Sequence, residues 1–332
     1  MRRISIAIGS RDTIDFDDLR AQARVADDAG VDTIWVGESW GADAITLLAV
    51  LAEATTRVRL GSAIVNTYSR SPAALAQHFA TLDQLSGGRM VIGLGTSGPQ
   101  VIEHFHGVPY ARPLSRLREY IEIINTLMRG EPLHHVGPSF TLDRGFTFRG
   151  LTPLRDHIPI HVGAMAPASV RQTARIADGW LPGATPRARW AHDVAAFRAY
   201  VAAAGRDPAS VEIRAPGAVT ITAEPEPAYE RSRANAAFYM ARMGDLHHAQ
   251  YVRAGLGEEA DAVRRAWREH GSAAAYAALP METVHALGYA GDVPGAIDWI
   301  EAQREAGYDF CPVSVDEPNA ARRADVYRRL VE

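Results

Sequence analysis

The sequence contains no lysine: all 35 basic residues of the 332-residue chain are arginine. Chemistries with an obligatory lysine, such as a Schiff base, a pyridoxal phosphate anchor or a P-loop, are excluded. Cysteine occurs once, at Cys311, so neither an intrachain disulfide nor a cysteine-rich zinc site can form. It lies in the apolar run 310–315 and reads as a core residue. No apolar run reaches the ~18 residues needed to span a bilayer. The opening stretch, MRRISIAIGSRD, has no signal-peptide core or cleavage site. A first strand and a cytoplasmic location are expected. Neither sign of charge is in excess, with 35 basic against 39 acidic residues and a net charge of −4, which favours neither nucleic acid nor an anionic membrane as partner. The expected partner is a small-molecule substrate.

What is present is an alternation. Eight strand-like runs fall at 4–9, 33–37, 58–65, 89–94, 158–163, 179–182, 211–221 and 310–315. Most are apolar throughout, as in a parallel sheet buried on both faces. Helical spacing appears between them at 16–29, 44–54, 72–85, 114–128, 168–177, 187–204 and 293–306. Four helix-to-strand joints carry glycine, at Gly30, Gly87-Gly88, Gly179 and Gly307, where a left-handed residue ends a helix. The pattern predicts an α/β fold, a (β/α)8 TIM barrel forming one domain over 1–332. Three stretches exceed the barrel minimum: 97–113, 132–156 and a helical insertion at 224–290, expected before the last strand. Long excursions of this kind serve as lids or contact surfaces.

Several motifs bear on chemistry. Gly93-Leu94-Gly95-Thr96-Ser97-Gly98 matches a dinucleotide fingerprint, but Pro99 follows it, the next helix is expected near Leu114, and no acid-ended strand comes ~20 residues later. A strand-end loop whose backbone approaches a ligand is the expected reading. His104-x-His106, His134-His135 and His247-His248 lack a third ligand at metal-binding spacing, so no metal site is expected. In LGSAIVNTYSRSP, residues 60–72, an apolar strand runs into a polar loop and then a Pro-started helix. Its end is a barrel-mouth position.

That segment, together with AGVDTIWVGESW, GGRMVIGLGTSG, IPIHVGAMAPASVRQTARIADGWLPG and GDVPGAIDWIEAQREAGYDFCPVSV, resembles the bacterial-luciferase-like superfamily. It is most similar there to the branch of enzymes that use the deazaflavin F420, methylenetetrahydromethanopterin reductase among them. The resemblance implies a third strand ending in a bulge with a non-prolyl cis peptide, Ala63–Ile64, against one face of the cofactor ring. Val65 and Asn66 continue that bulge, and Asn66, Tyr68, Ser69 and Arg70 match a segment typical of the branch. Gly163-Ala164-Met165-Ala166-Pro167 resembles the loop around the cofactor phosphate, with Arg171 in the first turn of the helix that follows. Ser10, Glu38, Thr96, Ser97 and His161 would line the same mouth.

The activity implied is hydride transfer between the deazaflavin C5 and a small organic substrate by a homodimer. Family members pair through helices 44–54 and 72–85. Glu38 is the first candidate for moving the accompanying proton, with His104, His106 and His161 behind it. Glu38 is alternatively a structural partner of an arginine. The rival readings are an FMN-dependent monooxygenase on the same fold, a non-catalytic flavin-binding protein and a metal-dependent barrel hydrolase.

Overall fold

The computed structural model describes residues 1–9 and 13–332, so the candidate Ser10 lies outside the described residues. Those residues group into two compact units. One comprises Ser5–Gly163 and Arg175–Trp180; the other comprises Met1–Ile4, Ala164–Ala174 and Leu181–Glu332.

In the first unit the strands are β1 (Ile4–Ala7), β2 (Thr33–Val36), β3 (Arg59–Ser62), β4 (Val65–Asn66), β5 (Met90–Gly95), β6 (Leu133–Val136), β7 (Thr141–Phe146), β8 (Ile160–Gly163) and the start of β9 (Gly179–Leu181). A parallel ladder runs β1–β2–β3–β5–β8, with Ser5 opposite Thr33, Thr33 opposite Arg59, Leu60 opposite Met90 and Ile92 opposite Ile160. Helices Phe16–Asp28, Ala44–Ala54, Pro72–Ser86 and Pro113–Met128 alternate with these strands. Their starts are chemically specified. Asp15 accepts from the amides of Asp17 and Asp18, Asp43 from Thr46, and Ser71 from Ala74 ahead of Pro72. Such caps satisfy amides that have no partner within the helix. Gly30, Gly87, Gly88 and Gly307 all have positive φ, as their joints predict.

Three details differ from the sequence reading. The run 58–65 is two strands, broken between Ser62 and Val65. The Pro/His-rich stretch 132–156 contains an antiparallel hairpin, β6 with β7. Pro99 does not merely break the chain: it opens a short helix, Pro99–His104, because proline fits a first helical turn.

The second unit holds β10 (Glu212–Ile213), β11 (Ala218–Ile221), β12 (Gly288–Gly291) and β13 (Cys311–Val315). The strand β11 is central and parallel to both neighbours, with Val219 opposite Tyr289 on one side and Val313 on the other. Buried Cys311 is a core residue, its amide bonded to Arg3 O at 3.0 Å. The stretch 224–290 is five helices, Pro225–Arg242, Asp245–Arg253, Gly257–His270, Ser272–Ala278 and Met281–Leu287, followed directly by β12. The insertion therefore precedes the last two strands, and its final residues are strand. The motif Gly-Tyr-Ala-Gly has little β-propensity, so β12 carried no apolar signal. The inserted helices bury their own core, including Ala237, Met240, Tyr251, Val263 and Leu279. Among the described residues no helix is long and apolar enough to cross a membrane.

Candidate active site

The C-terminal ends of β2, β3, β5 and β8 lie along one edge of a parallel ladder, where α/β folds place their chemistry. At that edge Ser62 does unusual work. Its hydroxyl donates to Gly93 O at 2.8 Å and accepts from Gly93 N at 2.9 Å, standing in for the backbone ladder as β3 ends. The Ala63 amide bonds Val36 O at 2.7 Å, and Thr67 N returns to Gly95 O at 3.0 Å. Between these anchors the Ala63–Ile64 peptide is cis, at the bond implied by the resemblance.

This arrangement explains the glycines of the fingerprint-like motif. A Cβ on Gly93 would lie 1.7 Å from Ser62 O, and one on Gly95 would lie 2.8 Å from Ile64 Cδ1. The first half of the motif is strand, and Gly93 and Gly95 are required by the neighbouring segment 62–64 rather than by a ligand approaching a loop. The Ile64 side chain also lies against Gly163, where an added Cβ would meet Cγ2 at 3.3 Å.

Glu38 follows β2 and is held in an ion pair. Arg70 Nη1 donates to Oε1 at 2.6 Å and Nη2 to Oε2 at 2.8 Å, while Ala44 N donates to Oε2 at 3.0 Å. The Glu38 side chain is 7% exposed and that of Arg70 18%. Two parallel charge-assisted bonds of this kind are strong and directional. They raise the Arg70 guanidinium above its ordinary range. Arg70 also contacts Asp43. The alternative reading of Glu38, as partner to an arginine, is the arrangement found.

Asn66 and His106 come together. Asn66 Oδ1 accepts from Tyr68 N at 2.9 Å and Ser69 N at 2.8 Å, which turns its amide nitrogen towards His106 Nε2, 3.4 Å away. With Nδ2 the donor, Nε2 must accept, and the neutral imidazole carries its proton on Nδ1. Thr96 and Ser97 are half-buried at the end of β5, with Tyr110 OH donating to Thr96 Oγ1 at 3.1 Å. The Tyr110 ring stacks on Tyr68 at 5.3 Å, and Arg116 lies over the other ring at 4.7 Å. Burial, then Tyr110, pushes the Tyr68 phenol up to about 12.

Other candidates do not reach the mouth. His161 is 1% exposed, packed against Trp35 at 5.6 Å and covering Gly179, where a Cβ would lie 2.5 Å from its ring. It is an interior residue, closed off from solvent by this packing. Gly179 serves this packing and not the helix end expected of it. Val65 and Asn66 are buried, whereas Ala63 and Ile64 are half-exposed. His104 is exposed on its short helix and does not join His106. His134 and His135 part, the first to Asp143 O and the second to Glu119. Among the described residues no cluster of three or more His, Cys, Asp or Glu could hold a metal ion. Tyr110 and Arg116 were missed, since neither belongs to a motif.

In the second unit, Ala164 is 3% exposed, with its amide on Leu181 O at 3.4 Å. Half-buried Met165 offers its carbonyl to Arg253 Nη2 at 3.4 Å. The helix begins at Pro167, and Arg171 is exposed in its early turns.

Residues 4–309 match the model of the luciferase-like monooxygenase family. The chain belongs to this family. It is 36% identical over 313 residues, 90% of each chain, to a protein of Mycobacterium tuberculosis assigned as a coenzyme F420-dependent oxidoreductase. The coenzyme F420-dependent tetrahydromethanopterin reductase of Methanopyrus kandleri superposes with a TM-score of 0.84 at 22% identity, covering 99% of this chain and 98% of that one. An F420-dependent secondary alcohol dehydrogenase bound to an F420–acetone adduct gives 0.78 at 20% identity, covering 100% and 98%. The fold class is therefore α/β with a mostly parallel sheet, as the strand–helix alternation predicts, and it matches TIM-barrel structures of the luciferase-like kind.

Proposed function

We infer that this family member is an F420-dependent oxidoreductase acting on a small organic substrate. The observation that carries this reading is the 36% identity, over 90% of both chains, to the assigned F420 oxidoreductase. The site residues fit a flat tricyclic ring. Ile64 is half-buried among positions that carry no side chain, Gly95 and Gly163, with Gly37 exposed beside Ala63 O. Ala63, Ile64 and Gly163 would form the floor, and Thr96 and Ser97 a polar rim. In the second unit, the start of helix Pro167–Ile176 presents amides, which favour an anion such as a phosphate. When bound, F420 supplies a carbon that gives or takes a hydride.

The chain's own residues supply positioning and a hydrogen-bond donor. Both Glu38 oxygens are committed to Arg70, so Glu38 acts as a positioning residue that ties the end of β2 to the loop before helix Pro72–Ser86. His106 is the group of this proposal that meets the charge developing on the substrate. Asn66 occupies Nε2 and fixes the tautomer, so Nδ1–H is left to donate a hydrogen bond to the substrate. The chain is further proposed to work in the cytoplasm as a homodimer.

Turnover without oxygen tests the reading. Reduced F420 should be oxidised anaerobically by the pure protein when a carbonyl, imine or enone acceptor is supplied from a panel. Oxygen-dependent product formation with reduced FMN, and none with F420, would contradict it.

A further inference from the structure

The helical insertion encloses a cavity of its own. Its volume is about 180 Å³, and it lies between helices Pro225–Arg242, Asp245–Arg253 and Met281–Leu287 and the first residues of β11 and β12, all within the second unit. Three tyrosines line it: Tyr229, Tyr251 and Tyr289. For comparison, an apolar cavity of about 150 Å³ holds a benzene molecule. The cavity adjoins a filled core to which Tyr251, Val284 and Leu287 also belong, so it is not a sign of loose packing.

Its polar groups are few and unequal. Tyr289 OH is committed to Asp292, bonded to Oδ1 at 3.0 Å, and offers the cavity its ring. The Tyr229 ring is held edge-on by His285 at 4.3 Å. Tyr251 differs. It is 5% exposed, it lines the cavity, and among the described residues its hydroxyl has no hydrogen-bond partner. Its hydroxyl is free to donate to an acceptor placed in the cavity. Burial raises the phenol's pKa, so it stays a neutral donor. Ser232 and Asn235 are exposed at the edge of the cavity and leave it open to solvent. No Asp, Glu, Arg or His lines it, so a charged ligand would be buried without a counter-charge, which is strongly unfavourable.

We propose that this cavity is a binding site for an uncharged, ring-sized compound with one hydrogen-bond acceptor, a carbonyl or ether oxygen, received by Tyr251 OH. The site is independent of the cofactor assignment. The test uses the full chain without cofactor and three probes, acetophenone, ethylbenzene and benzoate, followed by calorimetry and ligand-observed NMR. Acetophenone should bind one per chain, ethylbenzene more weakly, and benzoate not at all. Tyr251→Phe keeps the ring and should weaken acetophenone by about 3- to 10-fold, the yield of one neutral hydrogen bond, leaving ethylbenzene unchanged. Ser232→Trp, at the exposed edge, should block both neutral probes without unfolding the chain. The proposal is overturned if acetophenone does not bind at millimolar concentration, if benzoate binds as well as acetophenone, or if neither substitution alters acetophenone binding.

Discussion

At the scale of single residues, the account turns on how Asn66 and Glu38 are used. Asn66 spends its carbonyl oxygen on two backbone amides and thereby dictates the tautomer of His106. His106→Gln should lower kcat by about 100-fold, the usual cost of losing one hydrogen-bond donor aimed at developing charge. F420 affinity, followed by cofactor fluorescence, should stay within about twofold. Equal losses in kcat and cofactor affinity would make His106 a binding residue instead. Glu38 was legible in the sequence as a polar residue at a strand end, but its role was not. Nothing between positions 38 and 70 in a linear sequence shows that Arg70 returns to cover both carboxylate oxygens. His161 misled for a similar reason. A polar residue at a strand end reads as a mouth residue, whereas its ring is buried against Trp35 and fills the space over Gly179.

At the scale of elements, strands with unbroken apolar runs were legible because burial on both faces leaves that signature. β12 was not, because Gly-Tyr-Ala-Gly is chosen for close packing: a Cβ on Gly288 would lie 2.9 Å from Ala218 O. The hairpin of β6 and β7 was hidden too. It is fixed from outside by Glu119, which is 1% exposed and accepts from Ser139 N, Phe140 N and His135. Burial opposes ionisation of that carboxylate, but these bonds outweigh it and hold its pKa below the ordinary value. Helices Ala44–Ala54 and Pro72–Ser86 bear on assembly. Ile45, Ala49 and Val50 are only partly covered, and Leu85 is 44% exposed. If these helices pair two protomers, sedimentation should give a dimer, and Val50→Asp should give a folded monomer. A wild-type monomer at every concentration would remove the claim.

At the scale of the whole molecule, the family resemblance spans the chain because its motifs sit at strand ends, where the scaffold constrains sequence. The insertion between β11 and β12 is a folded unit with its own core and its own cavity. Its composition announced helices but not their contents. The central claim is that the mouth formed by Glu38, Ala63–Ile64, Thr96–Ser97 and Gly163 serves F420. Equilibrium titration of the pure protein with F420 and, separately, with FMN tests it most directly. The account predicts saturable F420 binding at one molecule per chain, with FMN weaker by at least about tenfold, a difference of ~1.4 kcal/mol. Saturable FMN binding with no detectable binding of F420 would contradict it.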